Sequence, residues 1–487
     1  MNMRIPKCMS TQHPDNVNLP FFAKSPELQG EDEVQEAYYA FSHLGCDEQM
    51  WDCEGKEVDS FVVKKLLTKY DYYFKENKIG KDVFLTLRVP NPQVEKAEAK
   101  ILLETLESIP RSFDAAKLFY GEDVVPVFEV ILPMTTSYES VDRIHKYYRN
   151  FVVGKQDQFL KKGDIKICEW IGEFKPHEIN VIPLFETMEH MLNADKLTEA
   201  YLRDKEADHQ RVFLARSDPA LNYGNLGAVL INKIALQRLY ALGDKLSVKI
   251  YPILGCGGAP FRGNLRPQRI DNVVKGYPSI HTLTLQSSFK YDHAPDEVTK
   301  AIKILRERKT QRPIVINETM ALDIVSRYSE DYNKRIVEFA PLINRVAKYV
   351  PKRRKRKMHV GLFGYSRDLG EVKLPRAITF TASLYSMGFP PEIIGLNALN
   401  AKDLDFIKTV YVNFENDLRD ALEYLNPDTG LVPKDLLEKV KEVIPDYETS
   451  EEHKKITSEI VKSIKQNNTE HLQEQILAAA SIRQFLG

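Results

Sequence analysis

The chain has 487 residues, 43% of them hydrophobic, and a formal net charge of −1. That composition supplies a large core, and so even a charge balance disfavours nucleic acid or an anionic membrane as the main partner. No apolar stretch approaches the roughly 20 residues that span a bilayer, and the start Met1-Asn-Met-Arg-Ile-Pro6 lacks the apolar centre of a signal peptide. Five scattered cysteines without C-x-x-C spacing disfavour a disulfide framework or structural zinc, so a soluble cytoplasmic protein is expected.

Short apolar runs that stop at polar, Gly or Pro turns predict buried strands. In chain order they are Lys7–Gln12, Asp82–Arg88, Val125–Leu132, Asn180–Thr187, Arg211–Asp218, Ser247–Leu254, Ile280–Gln286 and Met358–Gly364. Segments of helical period separate most of them: Glu31–Gly45, Glu95–Glu107 and Asn225–Gly243, the first and last stopped by Gly. Eight such units predict a (β/α)8 TIM-type barrel, with an open doubly wound sheet as the competitor. Thr299–Lys348 and nearly everything after Arg376 have helical spacing. We therefore expect a single barrel domain over 1–487, with helical insertions and a helical C-terminal region at about 376–487. Trp51–Asp59, dense in charge, reads as an active-site loop or as a helix start at Glu57.

Two of the runs end in acids, Glu186 and Asp218. At strand ends of an α/β barrel, where chemistry is placed, two carboxylates make a seat for a hard divalent cation. The bland alternative makes each acid a helix N-cap. His13, Arg88, Arg216, Arg262 and Arg367 fall at or just beyond other strand ends, and arginines match carboxylate and phosphate oxygens in pairs. The Gly-rich loop Gly255–Asn264, with Gly257 and Gly258 at its centre, lets backbone N–H groups approach an anion. It is neither a dinucleotide nor a P-loop fingerprint. The basic run Lys352–Lys357 reads as a solvated loop on the side away from the rim, although such runs also bind nucleic acid.

Taken in order, Ser10-Thr-Gln-His-Pro14, Pro183-Leu-Phe-Glu-Thr187, Arg216-Ser-Asp218, the Gly-rich loop with Arg262, and Pro375-Arg-Ala-Ile378 resemble the phosphoenolpyruvate carboxylases. The short length and the stretch from Met9 onward are similar to the archaeal-type branch, and the resemblance spans essentially the whole chain. It implies a barrel with extra helices, Mg²⁺ (or Mn²⁺) dependence, a homotetramer, and phosphoenolpyruvate and bicarbonate as substrates. By position, Glu186 and Asp218 match the family's metal ligands. His13, Arg262 and Arg376 match catalytic residues, and Arg88 matches a substrate-phosphate contact. The chain departs from the long bacterial and plant form at Leu254, Cys256 and Leu221, where that form carries a histidine, an arginine and a lysine. Arg216 is expected to replace part of the lost charge. The C-terminal Phe485-Leu-Gly487 is expected to point into the site. The nearest rival is a metal-dependent barrel lyase acting on a 2-oxo acid or an acyl-CoA ester.

Overall fold

A computed structural model describes residues 4–53, 60–355, 367–369 and 372–487. Eight parallel strands close into a barrel in sequence order: β1 Cys8–Ser10, β2 Glu48–Asp52, β3 Phe84–Arg88, β4 Glu129–Leu132, β5 Asn180–Phe185, β6 His209–Ala215, β7 Lys249–Gly255 and β8 Thr282–Leu285. β1 pairs with β8 in register Met9–Thr284, which removes both sheet edges. Parallel neighbours need a crossover, and helices such as Glu31–Ser42, Ala99–Tyr120 and Ser217–Leu246 supply it. Seven of the eight expected strands are present. The eighth is a correction: it is β2, which shares only Trp51 and Asp52 with the stretch read as a charged loop or helix start, whereas Met358–Gly364 lies outside the described residues.

The reason lies inside the barrel. Glu48 of β2, Glu129 of β4, Arg211 of β6 and Thr282 of β8 form one layer drawn from alternate strands. Arg211 reaches Glu48 in two bonds of 2.7 Å, Glu129 at 2.9 Å and the Thr282 hydroxyl at 3.3 Å. Burial pushes the Glu48 carboxyl up, and Arg211 opposes that push. Toward the other end, Met9, Met50, Ile131, Ile182, Leu184, Phe213, Ala215 and Ile253 form an apolar plug. β2 therefore places an acid where most barrel strands place an aliphatic residue.

The helix Ser217–Leu246 bends at Gly224, whose φ is 75°. A Cβ there would lie 2.5 Å from the Tyr328 ring, so glycine lets the helix Glu318–Ala347 approach closely. The C-terminal helices share one core with the barrel: Leu254 and Leu283 belong to the same buried cluster as Ile460, Ile476 and Leu486. Between barrel and helices, Arg367–Leu369 and Val372–Leu374 pair as a two-stranded antiparallel ribbon. Among the described residues no helix is long and apolar enough to cross a membrane.

Candidate active site

At the C-terminal ends of the strands lies a cavity of ≈290 Å³. His13, Arg88, Glu186, Asp218, Arg262 and Arg376 all border it, and Met50, Leu184 and Phe213 of the plug form its floor. The side chain of Arg367, expected on the same rim, is outside what the structure describes.

Neither acid is a helix cap. The cap after β5 is Thr187, whose side chain accepts from the His190 N–H, and Asp218 lies one residue inside the helix Ser217–Leu246. Glu186 accepts the Met134 N–H through Oε2 at 2.6 Å, which fixes one of its oxygens. Burial pushes the Asp218 carboxyl up, while Arg262, Arg376 and Arg88 pull it back. Three guanidinium groups thus surround one acid. The helix Ala377–Ser386 opens at the same cavity, with Arg376 at its cap and Ala377–Thr379 on the wall. Its N-terminal end adds further positive potential.

Arg88 and Arg262 are held by the protein. Arg88 makes a bidentate pair with Asp52 of β2, at 3.1 and 2.8 Å. Arg262 is 2% exposed and bonds the Ser217 hydroxyl, Asp15, the Gly487 carbonyl and Gln286. Asp15 also takes the N–H groups of Gly258 and Ser288, tying the His13 segment to the Gly-rich loop and to the end of β8. His13 itself shares a hydrogen bond of 2.9 Å between Nδ1 and the Thr11 hydroxyl. Leu486 borders the cavity, and its N–H bonds the Asp15 carbonyl, so the C-terminal residues do reach the site.

Some residues have other surroundings than their strand-end positions implied. The Gly257 N–H bonds the Arg262 carbonyl and the Gly258 N–H bonds Asp15, and neither glycine borders the cavity. A Cβ at 257 would lie 2.7 Å from Arg262 Nη1, so this glycine makes room for the guanidinium. Arg216 does border the cavity as expected, but it is 1% exposed and its guanidinium is also engaged with Asn225 and the Phe261 carbonyl of the Gly-rich loop. Leu221, Leu254 and Cys256 sit in the main apolar core, and burial pushes the Cys256 thiol up to about 12.

The basic run is a correction. Val350 to Arg354 line the cavity, so Lys352–Arg354 belong to the rim and are not on the side away from it. Arg353 donates to the carbonyls of Asn16 and Val17. Arg354 pairs with Glu33 at 2.7 Å and Glu36 at 2.8 Å. Lys352 is exposed on the cavity wall, and Arg356 and Lys357 lie outside the described residues. Six like charges in a row read as solvated, and no local signal marks the two that are buried. Asp15, Asp52 and Gln286 were also unassigned by sequence. Asp15 had a signal, since it follows His13-Pro14 directly.

Glu36 joins this network to β1, since Lys290 donates to Glu36, to the Ser10 hydroxyl and to the Thr11 carbonyl. Burial alone would raise the Glu36 pKa, but Arg354 and Lys290 outweigh it and lower the value to about 2. The folded pKa is below the unfolded value of about 4.3. The linked stability is therefore present above about pH 4.3 and lost as pH falls toward 2. Glu36→Gln leaves two buried cations short of a counter-charge, so we expect it to cost about 3 kcal/mol at pH 7. It should also flatten the fall of stability between pH 4.3 and 2, read by denaturant titrations across that range. An equally steep fall in the variant would show that Glu36 does not carry it.

Among the described residues no group of three or more His, Cys, Asp or Glu side chains converges to hold a metal. Two carboxylates on one cavity still fit a Mg²⁺-type ion, which keeps several waters and takes substrate oxygens beside one or two acids.

A family profile described as phosphoenolpyruvate carboxylase matches residues 5–487. This chain belongs to the phosphoenolpyruvate carboxylase family. The phosphoenolpyruvate carboxylase of Methanothermobacter thermautotrophicus is 58% identical over 486 residues, covering 100% of both chains. That of Methanospirillum hungatei is 54% identical over 488 residues, again 100% of both. That of Pyrococcus abyssi is 53% identical over 448 residues, 91% of this chain and 94% of its own.

Proposed function

We propose that the chain joins phosphoenolpyruvate to bicarbonate, giving oxaloacetate and inorganic phosphate by way of carboxyphosphate. The supporting observation is the convergence of Glu186, Asp218, His13 and six arginines, Arg88, Arg262 and Arg376 among them, on one cavity. A 2-oxo acid or acyl-CoA lyase needs the acid pair but not so many phosphate-matching guanidiniums.

Glu186 and Asp218 would hold Mg²⁺ or Mn²⁺, and the bound ion would supply Lewis acidity toward the substrate. Arg88, fixed by Asp52, and Arg376 bind the anionic substrate in one orientation. A bicarbonate oxygen attacks phosphorus, the bond from phosphorus to the enol oxygen breaks, and its electron pair remains as the enolate. Arg262 and Arg376 offset the charge that develops on the transferring phosphoryl group. His13 then takes the carboxyphosphate proton as general base, a role imidazole commonly fills in catalysis. Carboxyphosphate splits into carbon dioxide and phosphate, and the enolate carbon attacks carbon dioxide. The apolar floor and Leu486 keep water from competing for the enolate. We read the enzyme as a cytoplasmic homotetramer.

With Leu221, Leu254 and Cys256 in the core, the phosphate-side charge comes from elsewhere. Lys352 on the cavity wall fills that need, while Arg216 holds the loop that carries Arg262. Removing one charge-assisted hydrogen bond costs about 1.5–3 kcal/mol. Lys352→Ala should therefore raise the KM for phosphoenolpyruvate or bicarbonate about tenfold or more, with Tm unchanged. Steady-state kinetics giving wild-type KM values for both substrates would remove Lys352 from this role.

The reading as a whole is tested with Glu186→Gln and Asp218→Asn. Each should abolish Mn²⁺ binding seen by electron paramagnetic resonance and reduce oxaloacetate formation by at least about 10³-fold. A variant that keeps both the Mn²⁺ affinity and the rate would overturn the assignment of that acid.

A further inference from the structure

The connection from β4 to β5 contains an excursion that the barrel does not use. After the helix Tyr138–Tyr147 the chain passes through a π turn Tyr148–Val153, a 3-10 turn Gly154–Asp157 and a short helix Ile167–Ile171. The excursion is locally ordered. The Ile167 N–H bonds the Gln158 carbonyl at 3.0 Å, the Phe174 N–H bonds Gln156 at 3.1 Å, and Lys166 pairs with Asp157. Yet from residue 154 to 178 not one residue is buried. Fixing a residue's backbone costs about 1–2 kcal/mol of entropy, and within one copy only the half-buried Phe174 of this stretch packs against the apolar core to offset it.

Its apolar side chains face out. Phe151, Phe159, Leu160, Ile165, Trp170 and Ile171 are between 50% and 66% exposed. Large apolar side chains gathered on one exposed element mark an interface. The charge pattern says what kind. Residues 149–178 carry six Lys or Arg and five Asp or Glu. A polyanion or an anionic membrane would select for one sign, whereas a two-fold axis sets each sign against the other on an identical surface. The area agrees. Six large side chains, half or more of each exposed, present on the order of 600 Å². A stable dimer buries roughly 800 Å² per partner, and the polar rim supplies the difference.

We propose that residues 148–178 form a two-fold interface between copies of this chain, with Trp170 and Leu160 at its centre. The segment follows a helix that runs back from the strand tops, so it lies at the barrel mouth opposite the active site. The proposal names the surface behind the homo-oligomer suggested above, and it is independent of the reaction assigned to the site.

The test is sedimentation velocity on the full chain of 56.0 kDa, comparing wild type with Trp170→Asp/Leu160→Asp. The wild type should sediment as a multiple of the chain mass, and the double variant at half that mass with its circular dichroism unchanged. Leu118→Asp, at a position 88% exposed on another helix, should leave the mass unaltered. Fluorescence gives a second reading, because the chain has two tryptophans and Trp51 is buried. Leu160→Asp should shift the emission to the red and increase acrylamide quenching as Trp170 becomes wet. A wild type that sediments as a single chain, a double variant of unchanged mass, or equal quenching in wild type and Leu160→Asp would overturn the proposal.

Discussion

Arg262→Gln is expected to lower kcat by about 10³-fold or more, while raising the substrate KM values far less. Two effects act together. The guanidinium borders the cavity beside Asp218, where charge on the transferring phosphoryl group must be offset. It also holds Asp15, Gln286, the Ser217 hydroxyl and the Gly487 carbonyl, so its loss releases the His13 segment, the Gly-rich loop and the C-terminal residues together. Asp15, which is fully buried, is then left without its cation. Arg262→Lys should recover little, because a single ammonium cannot reproduce a planar fork with donors in several directions. Steady-state kinetics with thermal unfolding separates the effects. A Lys variant within tenfold of wild type would show that charge alone matters at this position.

The largest effect on stability is expected at the other end of the barrel. Arg211→Met strands Glu48 and Glu129 in a layer where both are no more than 2% exposed. Breaking a buried pair in this way costs about 3–5 kcal/mol. Replacing Arg211, Glu48 and Glu129 together by apolar residues of similar volume should be close to neutral, since no charge is then left alone. Chemical denaturation measures both. The single variant should keep near-normal kcat where it is folded, because the plug of Met50, Ile182, Phe213 and their neighbours separates this layer from the cavity. A loss below about 1 kcal/mol would mean that the acids find other partners or take up protons on folding.

These same residues mark the limit of what the sequence discloses. Glu186 and Asp218 were legible because the signal is local: an apolar run buried on both faces, then an acid at its end. β2 was not, because its acids are satisfied by partners far along the chain. Glu48 meets Arg211 across 163 positions and Asp52 meets Arg88 across 36. A strand carrying an inward Glu and Asp shows no apolar run. The basic segment misled for a related reason. Arg354 is matched by Glu33 and Glu36 across more than 300 positions, and nothing near it distinguishes a buried arginine from a solvated one. In the Gly-rich loop the need for glycine was read correctly at Gly257, but the group given room is the Arg262 guanidinium and not a ligand.

The central claim is that phosphoryl transfer to bicarbonate precedes carboxylation within one cavity. The direct measurement uses ¹⁸O-bicarbonate with phosphoenolpyruvate and Mg²⁺, following both products by mass spectrometry. If carboxyphosphate forms, one labelled oxygen moves to phosphate and two remain in the new carboxylate of oxaloacetate. His13→Asn should still place label in phosphate while forming less oxaloacetate. Phosphate without label, or a wild type that makes no oxaloacetate with metal and bicarbonate saturating, would contradict the account.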